Sequence, residues 1–482
     1  MRWIKSTWNW IDDRTGLSEM LGPVMTHLVP HDAKWWYVFG SATMCAFMIQ
    51  VFTGAALAFS YIPSAAEAYP TLQFISHDAT FGSLLRGMHY YGASAMVLMV
   101  GAHMAQVFLF GSYKFPREMN WATGVLLLGF TLVMGFTGQL LRWDQTAVWS
   151  VVVAAEQAGR IPLIGTAIAH FTLGGTSVGG ATLSRFFAIH VFAMPALIFA
   201  FTGLHVILVL RNGISEPPKP GDPVDPKTYR ANYHRLMEKT GRPFWPDAMW
   251  RDIVFCVAMI TVIILLAWFV GPPELGRPPD PSIVAANPRP DWYLLWYFGV
   301  LALLPHGSER YFMVFAPVLV GVLLIIVPFV WNTGERSPRR RPWAVAAVIA
   351  TALMIGSFWI AGQKSSWSPV FDARPLPESI VGASSGPIAI GGRLFFDKSC
   401  IFCHAVQGQG GHRGPDLSAV GLRLRSDQII LRISNGGNNM PAFAGNLTPV
   451  ELNELTAFLL SRKYEAHRQM TPGEDRYFQP GN

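Results

Sequence analysis

Four histidines stand at matched intervals in two apolar stretches: His89 with His103 fourteen residues on, and His190 with His205 fifteen residues on. An α-helix turns about 100° and rises about 1.5 Å per residue, so either interval returns a side chain to nearly the same face about 21 Å further along. With two such helices side by side, parallel or antiparallel, one pair of histidines meets near one membrane surface and the other pair near the opposite one. Neutral imidazole is a ligand of haem iron, and ionisable groups at bilayer depth are costly enough to be functional by default. Each meeting point therefore reads as a bis-imidazole iron site. One histidine in an apolar helix would read as a hydrogen-bonded core residue; four at matched spacing do not.

The fourteen-residue interval recurs as glycines in the two neighbouring apolar segments, Gly40 with Gly54 and Gly124 with Gly138. Glycine lets a flat ligand approach the backbone, although small residues also serve ordinary helix packing in membranes. The shared interval favours the first role, with two helices giving room and two giving ligands in a four-helix bundle around two haems.

A second chemistry lies near the carboxyl end. Cys400-Ile401-Phe402-Cys403-His404 is a C-x-x-C-H sequence, whose thiols can bond to haem vinyl groups while the adjacent imidazole ligates iron. A redox dithiol or half a zinc site would need a thioredoxin-like setting or a second cysteine pair, and the chain has only four cysteines. Met440, in Asn439-Met440-Pro441, supplies a thioether for the other axial position, and Gly414-Pro415-Asp416-Leu417 forms a turn between. This segment resembles the small class I cytochromes c. The remaining cysteines, Cys45 and Cys256, lie alone in apolar spans and read as packing residues.

A third candidate is Pro290-Asp291-Trp292-Tyr293, followed by an apolar run. An aspartate there either caps a surface helix or, partly buried beside an apolar pocket, accepts a proton from a substrate.

The elements that must position these groups follow from composition. With 51% hydrophobic and 14% charged residues among 482 and a mean hydropathy of +0.31, an ordinary soluble protein is excluded. Seven runs long enough to cross a bilayer lie near 35–60, 87–110, 121–141, 186–210, 252–270, 311–331 and 343–361. The amino end shows no cleavable signal peptide, and Trp3, Ile4, Trp8 and Ile11 recur at helical spacing, as in a helix lying on a membrane surface. Lys and Arg concentrate between the fourth and fifth spans (Arg211 to Arg251) and between the sixth and seventh (Arg336 to Arg341), which places those loops in the cytoplasm. The opposite loops are poorer in basic residues, with Arg142, Arg160, Arg185, Arg277, Arg289 and Arg310. Topology thus accounts for the net charge of +7, with no nucleic acid involved.

The expected fold is all-α: an interfacial segment (1–34), a four-helix di-haem bundle (35–215), three further spans with the PDWY loop (216–362), a Ser/Pro/Gly-rich linker (363–386) and an external helical cytochrome c domain (387–482) that opens and closes with helices near 387–398 and 448–462.

With the histidine and glycine quartets, TGQLLRWDQTAVW, IPLIGTAIAHFTLGG and PDWY in place of Pro-Glu-Trp-Tyr, residues from about 20 to 362 resemble cytochrome b of the cytochrome bc complexes. Seven spans and the second histidine interval are most similar to the chloroplast and cyanobacterial type, there divided between two polypeptides. That type anchors an extra haem through a cysteine in the first span; Val38 stands here, so no such haem is expected. Leu141-Arg142-Trp143 replaces Leu-Pro-Trp.

The resemblance implies a quinol:cytochrome c oxidoreductase with two non-covalent haems b and one covalent haem c. Quinol would be oxidised externally, with Asp291 accepting a proton and Tyr293 assisting. One electron would go to a separate Rieske iron–sulfur protein, then to the haem of Cys400, Cys403, His404 and Met440 and on to a downstream cytochrome or other acceptor. The other would cross from the His89/His190 haem to the His103/His205 haem and a cytoplasmic-side quinone. Arg86 would pair with a propionate or anchor at the membrane edge, and Asp252 would donate a proton to the inner quinone or only cap its helix. A homodimeric complex in a bacterial inner membrane, its cytochrome c domain outside, completes the expectation. The alternatives are a di-haem anchor of a dehydrogenase delivering electrons to quinone, which needs neither PDWY nor the last three spans, and an electron shuttle.

Overall fold

The computed structural model describes residues 2–159, 161–175, 178–279, 290–304, 309–364, 373–411, 414–436, 440, 443–444 and 446–464. Arg160, Arg289, linker residues 365–372, and Asn439, Pro441 and Ala442 of the methionine loop lie outside them.

The chain is helical. An amphipathic α1 (Arg2–Thr15) and α2 (Leu17–Met25) lead into α3 (Phe39–Ala58), α4 (Ala68–His77), α5 (Gly82–Leu109), α6 (Glu118–Leu140), α7 (Gln145–Gly159), α8 (Gly165–Leu173), α9 (Gly180–Ala188) and α10 (Met194–Asn212). Then come α11 (Tyr229–Thr240), α12 (Met249–Phe269), α13 (Leu295–Leu303), α14 (Glu309–Val330) and α15 (Pro342–Lys364). Among the described residues seven helices are long and apolar enough to span a membrane: α3, α5, α6, the run Gly180–Asn212 holding α9 and α10, the run Phe244–Phe269 holding α12, and the bulk of α14 and of α15. The 28 residues of α5 reach about 42 Å at 1.5 Å each, more than the hydrocarbon thickness. Large apolar side chains such as Phe52, Leu265, Trp268, Val318 and Leu323 are exposed, because lipid rather than water is their solvent.

Packing follows the small residues. The pairs α3 with α5 and α6 with α10 form the bundle, α12 packs on α5 where Gly87 meets Ala267, and α13 lies on α15 where Gly299 meets the Phe358 carbonyl. Buried cations tie the helix ends on the basic side. Arg341 donates to the Phe108 and Leu109 carbonyls ending α5 (3.0 and 2.6 Å), and Arg117 to Asn212 and Gly213 ending α10 (3.1 and 2.9 Å). Lys114 donates to Trp331 and Thr333 just past α14 (2.7 and 2.5 Å). Each satisfies carbonyls the helix leaves unpaired and meets the negative end of its dipole. A two-residue antiparallel pair, β1 (Leu28–Val29) with β2 (Arg242–Pro243), joins the segments entering the first and fifth spans.

At the carboxyl end α16 (Glu378–Val381), α17 (Gly386–Asp397), α18 (Val420–Arg423), α19 (Ser426–Asn435) and α20 (Pro449–Leu460) surround a core of Phe395, Ile401, Val406, Leu455 and Phe458, with a small hairpin of β3 (Ala405–Val406) and β4 (Gln409–Gly410). The expected opening and closing helices are α17 and α20. They cross where Gly391 touches the Glu454 carbonyl too closely for any Cβ. Helix α20 starts at a capping box: Glu451 N–H donates to the Thr448 hydroxyl (3.3 Å) and Thr448 N–H to the Glu451 carboxylate (2.8 Å).

Candidate functional site

The bundle brings the histidines together in the expected combination. His89 of α5 faces His190 with ring centroids 6.3 Å apart and planes at 77°. An imidazole nitrogen binds a metal at about 2 Å, and two such bonds plus two half-rings come to about 6 Å, so the gap fits one iron between the rings. His205 of α10 lies close enough to His103 of α5 to act on it electrostatically.

The glycines lie against these imidazoles. A Cβ on Gly54 would stand 3.1 Å from His89 Cε1, on Gly40 3.3 Å from His103 Cε1, on Gly124 3.5 Å from His205 Cε1, and on Gly138 2.6 Å from His190 Cε1. What the missing side chains make room for is first the ligand ring, on the helix packed against each glycine.

Three threonines, which sequence reasoning passed over, fix the rings. Thr53 Oγ1 lies 2.9 Å from His89 Nδ1, Thr123 Oγ1 2.9 Å from His205 Nδ1, and Thr137 Oγ1 3.1 Å from His190 Nδ1. Each hydroxyl already donates its proton to a carbonyl of its own helix: Ile49 at 2.6 Å, Met119 at 2.9 Å and Met134 at 3.0 Å respectively. With that proton committed the hydroxyl only accepts, so Nδ1 must carry the ring proton and Nε2 keeps its lone pair for a metal. The Met134 carbonyl, 3.0 Å from His190 Nδ1, shares the task. The available signal was the Thr-Gly dipeptide at 53–54, 123–124 and 137–138.

The fifteen-residue interval also has a structural cause. His190 lies in a π-helical turn, Ile189–Ala193, between α9 and α10. Pro195, with no N–H to donate, sits in the first turn of α10, and a wider turn relieves the clash and missing bond of an interior proline. The extra residue is absorbed there, so fifteen residues return to the face that fourteen reach in α5.

At the same end of the bundle lies the PDWY segment. Tyr293 Oη donates to Asp291 Oδ2 at 3.2 Å, and Trp292 Nε1 donates to Ser94 Oγ at 3.2 Å. The Asp291 carboxylate does not cap α13, which begins beyond Leu294, so the capping alternative falls. Burial pushes this carboxyl above the ordinary carboxylate range, partly offset by Arg142 and the Tyr293 hydroxyl. Arg142, in the position of the family's proline, is ion-paired at 3.8 Å with Asp144, which is fully buried and accepts from Ala147 and Gly276 N–H (2.8 and 3.1 Å).

Arg86 is buried, with its terminal nitrogens on Ser76 Oγ (2.9 Å) and the Pro273 carbonyl (2.7 Å). Asp252 sits inside the first turn of α12 and hydrogen-bonds Ser41 of α3, so it is more than a cap. Cys256 is not alone either, since its thiol hydrogen-bonds Cys45 across the same helix pair.

In the carboxyl-terminal domain His404 Nδ1 lies 2.9 Å from the Pro415 carbonyl, which again leaves Nε2 as the free nitrogen. Gly414 abuts the same ring, its Cβ position 2.9 Å from Nε2. Burial pushes the Cys400 thiol up to about 12, the opposite of a reactive dithiol. Cys400, Cys403 and Met440 pack on one hydrophobic core.

These features define a multi-pass helical electron-transfer protein with paired imidazole sites and an attached domain bearing a C-x-x-C-H motif. The family profile described as cytochrome b/b6/petB matches residues 24–213, and that described as cytochrome c oxidase, cbb3-type, subunit III matches 389–459. Cytochrome b6 of Synechococcus elongatus is 39% identical over 214 residues, 44% of this chain and 100% of that protein. That of Acaryochloris marina is 38% identical over the same span, again 44% and 100%. A solved chain titled hyperthermophilic respiratory Complex III is similar with a TM-score of 0.63 and 26% identity, over 82% of this chain and 96% of that one. The chain belongs to the cytochrome b/b6 family and carries a cytochrome c-type domain at its carboxyl end.

Proposed function

We propose that this chain is the cytochrome b subunit, with its own cytochrome c domain, of a quinol-oxidising complex of the bc type. The observation that carries the reading is the His89/His190 pair, spaced for one metal with Nε2 left free by the Thr53 and Thr137 hydroxyls. His89 with His190 and His103 with His205 would each hold one haem b; Cys400, Cys403, His404 and Met440 would hold one haem c. When bound, these groups supply one-electron transfer, which neither the apolar helices nor quinol alone provides.

The residues divide the remaining work. Asp291, its proton affinity raised by burial, takes a proton from quinol on the external side, and Tyr293 keeps the carboxylate oriented. Trp292, tethered to Ser94, and Pro290 fix the loop that carries them. Asp252, held by Ser41, serves a quinone near the cytoplasmic face. Arg86 spends its terminal nitrogens on protein acceptors, which limits it to a secondary role toward a propionate. A Rieske protein takes the first electron, because four cysteines leave no Cys-His set for an iron–sulfur cluster in this chain. The complex is a homodimer in a bacterial inner membrane with the cytochrome c domain outside.

A redox-difference spectrum of the purified complex with haem quantitation tests this. Two b-type haems per c-type haem, with the b-type haems reduced by quinol and that reduction blocked by an external-site inhibitor, are expected. A different ratio, or no reduction by quinol, rejects it.

A further inference from the structure

Three of the four bundle imidazoles have an Nδ1 acceptor, and the fourth does not. Among the described residues the buried Nδ1 of His103 has no hydrogen-bond partner. The cause lies one residue before its glycine. Gly54, Gly124 and Gly138 each follow a threonine whose hydroxyl takes the ring proton, whereas Gly40 follows Phe39, an aromatic set edge-on against Phe255 with centroids 6.0 Å apart. A ring whose Nδ1–H is hydrogen-bonded is more basic and stabilises ferric over ferrous iron; a bare ring donates less and favours the reduced state.

Resting on the four-histidine reading above, we infer that Thr53, Thr123 and Thr137 on one side and Phe39 on the other act as positioning residues that set the haem potentials. The His89/His190 site, with both rings paired, is held toward the oxidised state. The His103/His205 site, with one ring bare, is the more easily reduced. The residue preceding the glycine is the control element.

Optical redox titration of the b-type absorbance and the low-spin ferric EPR signals of the full complex test this with three variants. Phe39→Thr adds an acceptor beside His103 and is expected to shift the ferric/ferrous ratio of the higher-potential component about tenfold toward ferric, a fall of about 59 mV for one electron, leaving the other component in place. Thr53→Val removes the acceptor of His89 and is expected to raise the lower-potential component by a similar factor. Phe39→Leu, which changes packing without adding an acceptor, should leave both unchanged. Full haem content with both potentials unmoved in Phe39→Thr and Thr53→Val overturns the inference while leaving the haem reading intact; absence of b-type haem from the unmodified protein overturns that reading itself. If Phe39→Thr does not assemble, Thr53→Val decides alone.

Discussion

The hydroxyl of Tyr293 rests on Gly135 of α6 so closely that no Cβ would fit between them. The preceding residue, Met134, offers its carbonyl to His190 Nδ1 at 3.0 Å. Consecutive residues of one helix therefore touch the PDWY segment and the His89/His190 pair, so the proposed proton acceptor and the proposed haem site beside it share a rigid support.

Asp291 should control the acid limb of quinol oxidation. Its carboxyl is pushed up by burial, so it is half protonated above the ordinary carboxylate range, and the rate rises as pH climbs through that raised value and frees the base. Tyr293 donates to the charged form and lowers the value; Tyr293→Phe should move the limb to higher pH. Asp291→Asn should cut kcat about 100-fold or more and abolish the limb, whereas Asp291→Glu should retain it. Steady-state rates against pH with quinol and an artificial acceptor provide the measurement.

Gly138 and Gly124 should respond differently to alanine. At Gly138 the new Cβ would lie 2.6 Å from His190 Cε1, while at Gly124 the nearest ring atom is 3.5 Å away, ordinary contact. Overpacking of the first kind costs about 1–3 kcal/mol and displaces a ring that must point at a metal. Gly138→Ala is expected to lose about half the b-type absorbance, and Gly124→Ala to keep it, in a pyridine haemochrome assay.

The π-helical turn predicts an asymmetry between two deletions. Removing Phe192 together with Pro195→Ala shortens Ile189–Ala193 to an α-helical path, and both b-type haems should remain. Removing Leu204 from α10 rotates His205 about 100° relative to His190, and the haem shared with His103 should be lost. Haem counts per protein distinguish the two.

Cys400→Ser should leave the carboxyl-terminal fold in place, since Phe395, Leu455 and Phe458 form the core independently of the thiol. It should weaken covalent haem attachment, seen as reduced peroxidase staining of the denatured chain. Circular dichroism unchanged with staining reduced is the expected combination; staining at the level of the unmodified chain would contradict the assignment.

Much of this protein is written in one dimension. Seven spans, a helix after PDWY, and the shared face of His89 with His103 and of His190 with His205 follow from run length and helical period, because lipid forces backbone polar groups into helices and a helix repeats its face at a fixed interval. The C-x-x-C-H motif is contiguous and needs no fold to be recognised. What only the tertiary structure decided depends on neighbours far apart in the chain. Thr53 stands 36 residues before His89 and Thr137 stands 53 before His190, so no local pattern ties a hydroxyl to the ring it polarises. The role of the fifteenth residue emerges only when Pro195 widens a turn. That Asp291 turns to Tyr293 rather than capping α13, that Arg86 is spent on Ser76 and Pro273, and that among the described residues only His103 of the four bundle histidines lacks an Nδ1 partner are all matters of which side chains share a small volume. Periodicity places a residue on a face, but hydrogen bonding operates over about 3 Å, and that distance is set only when separate helices pack.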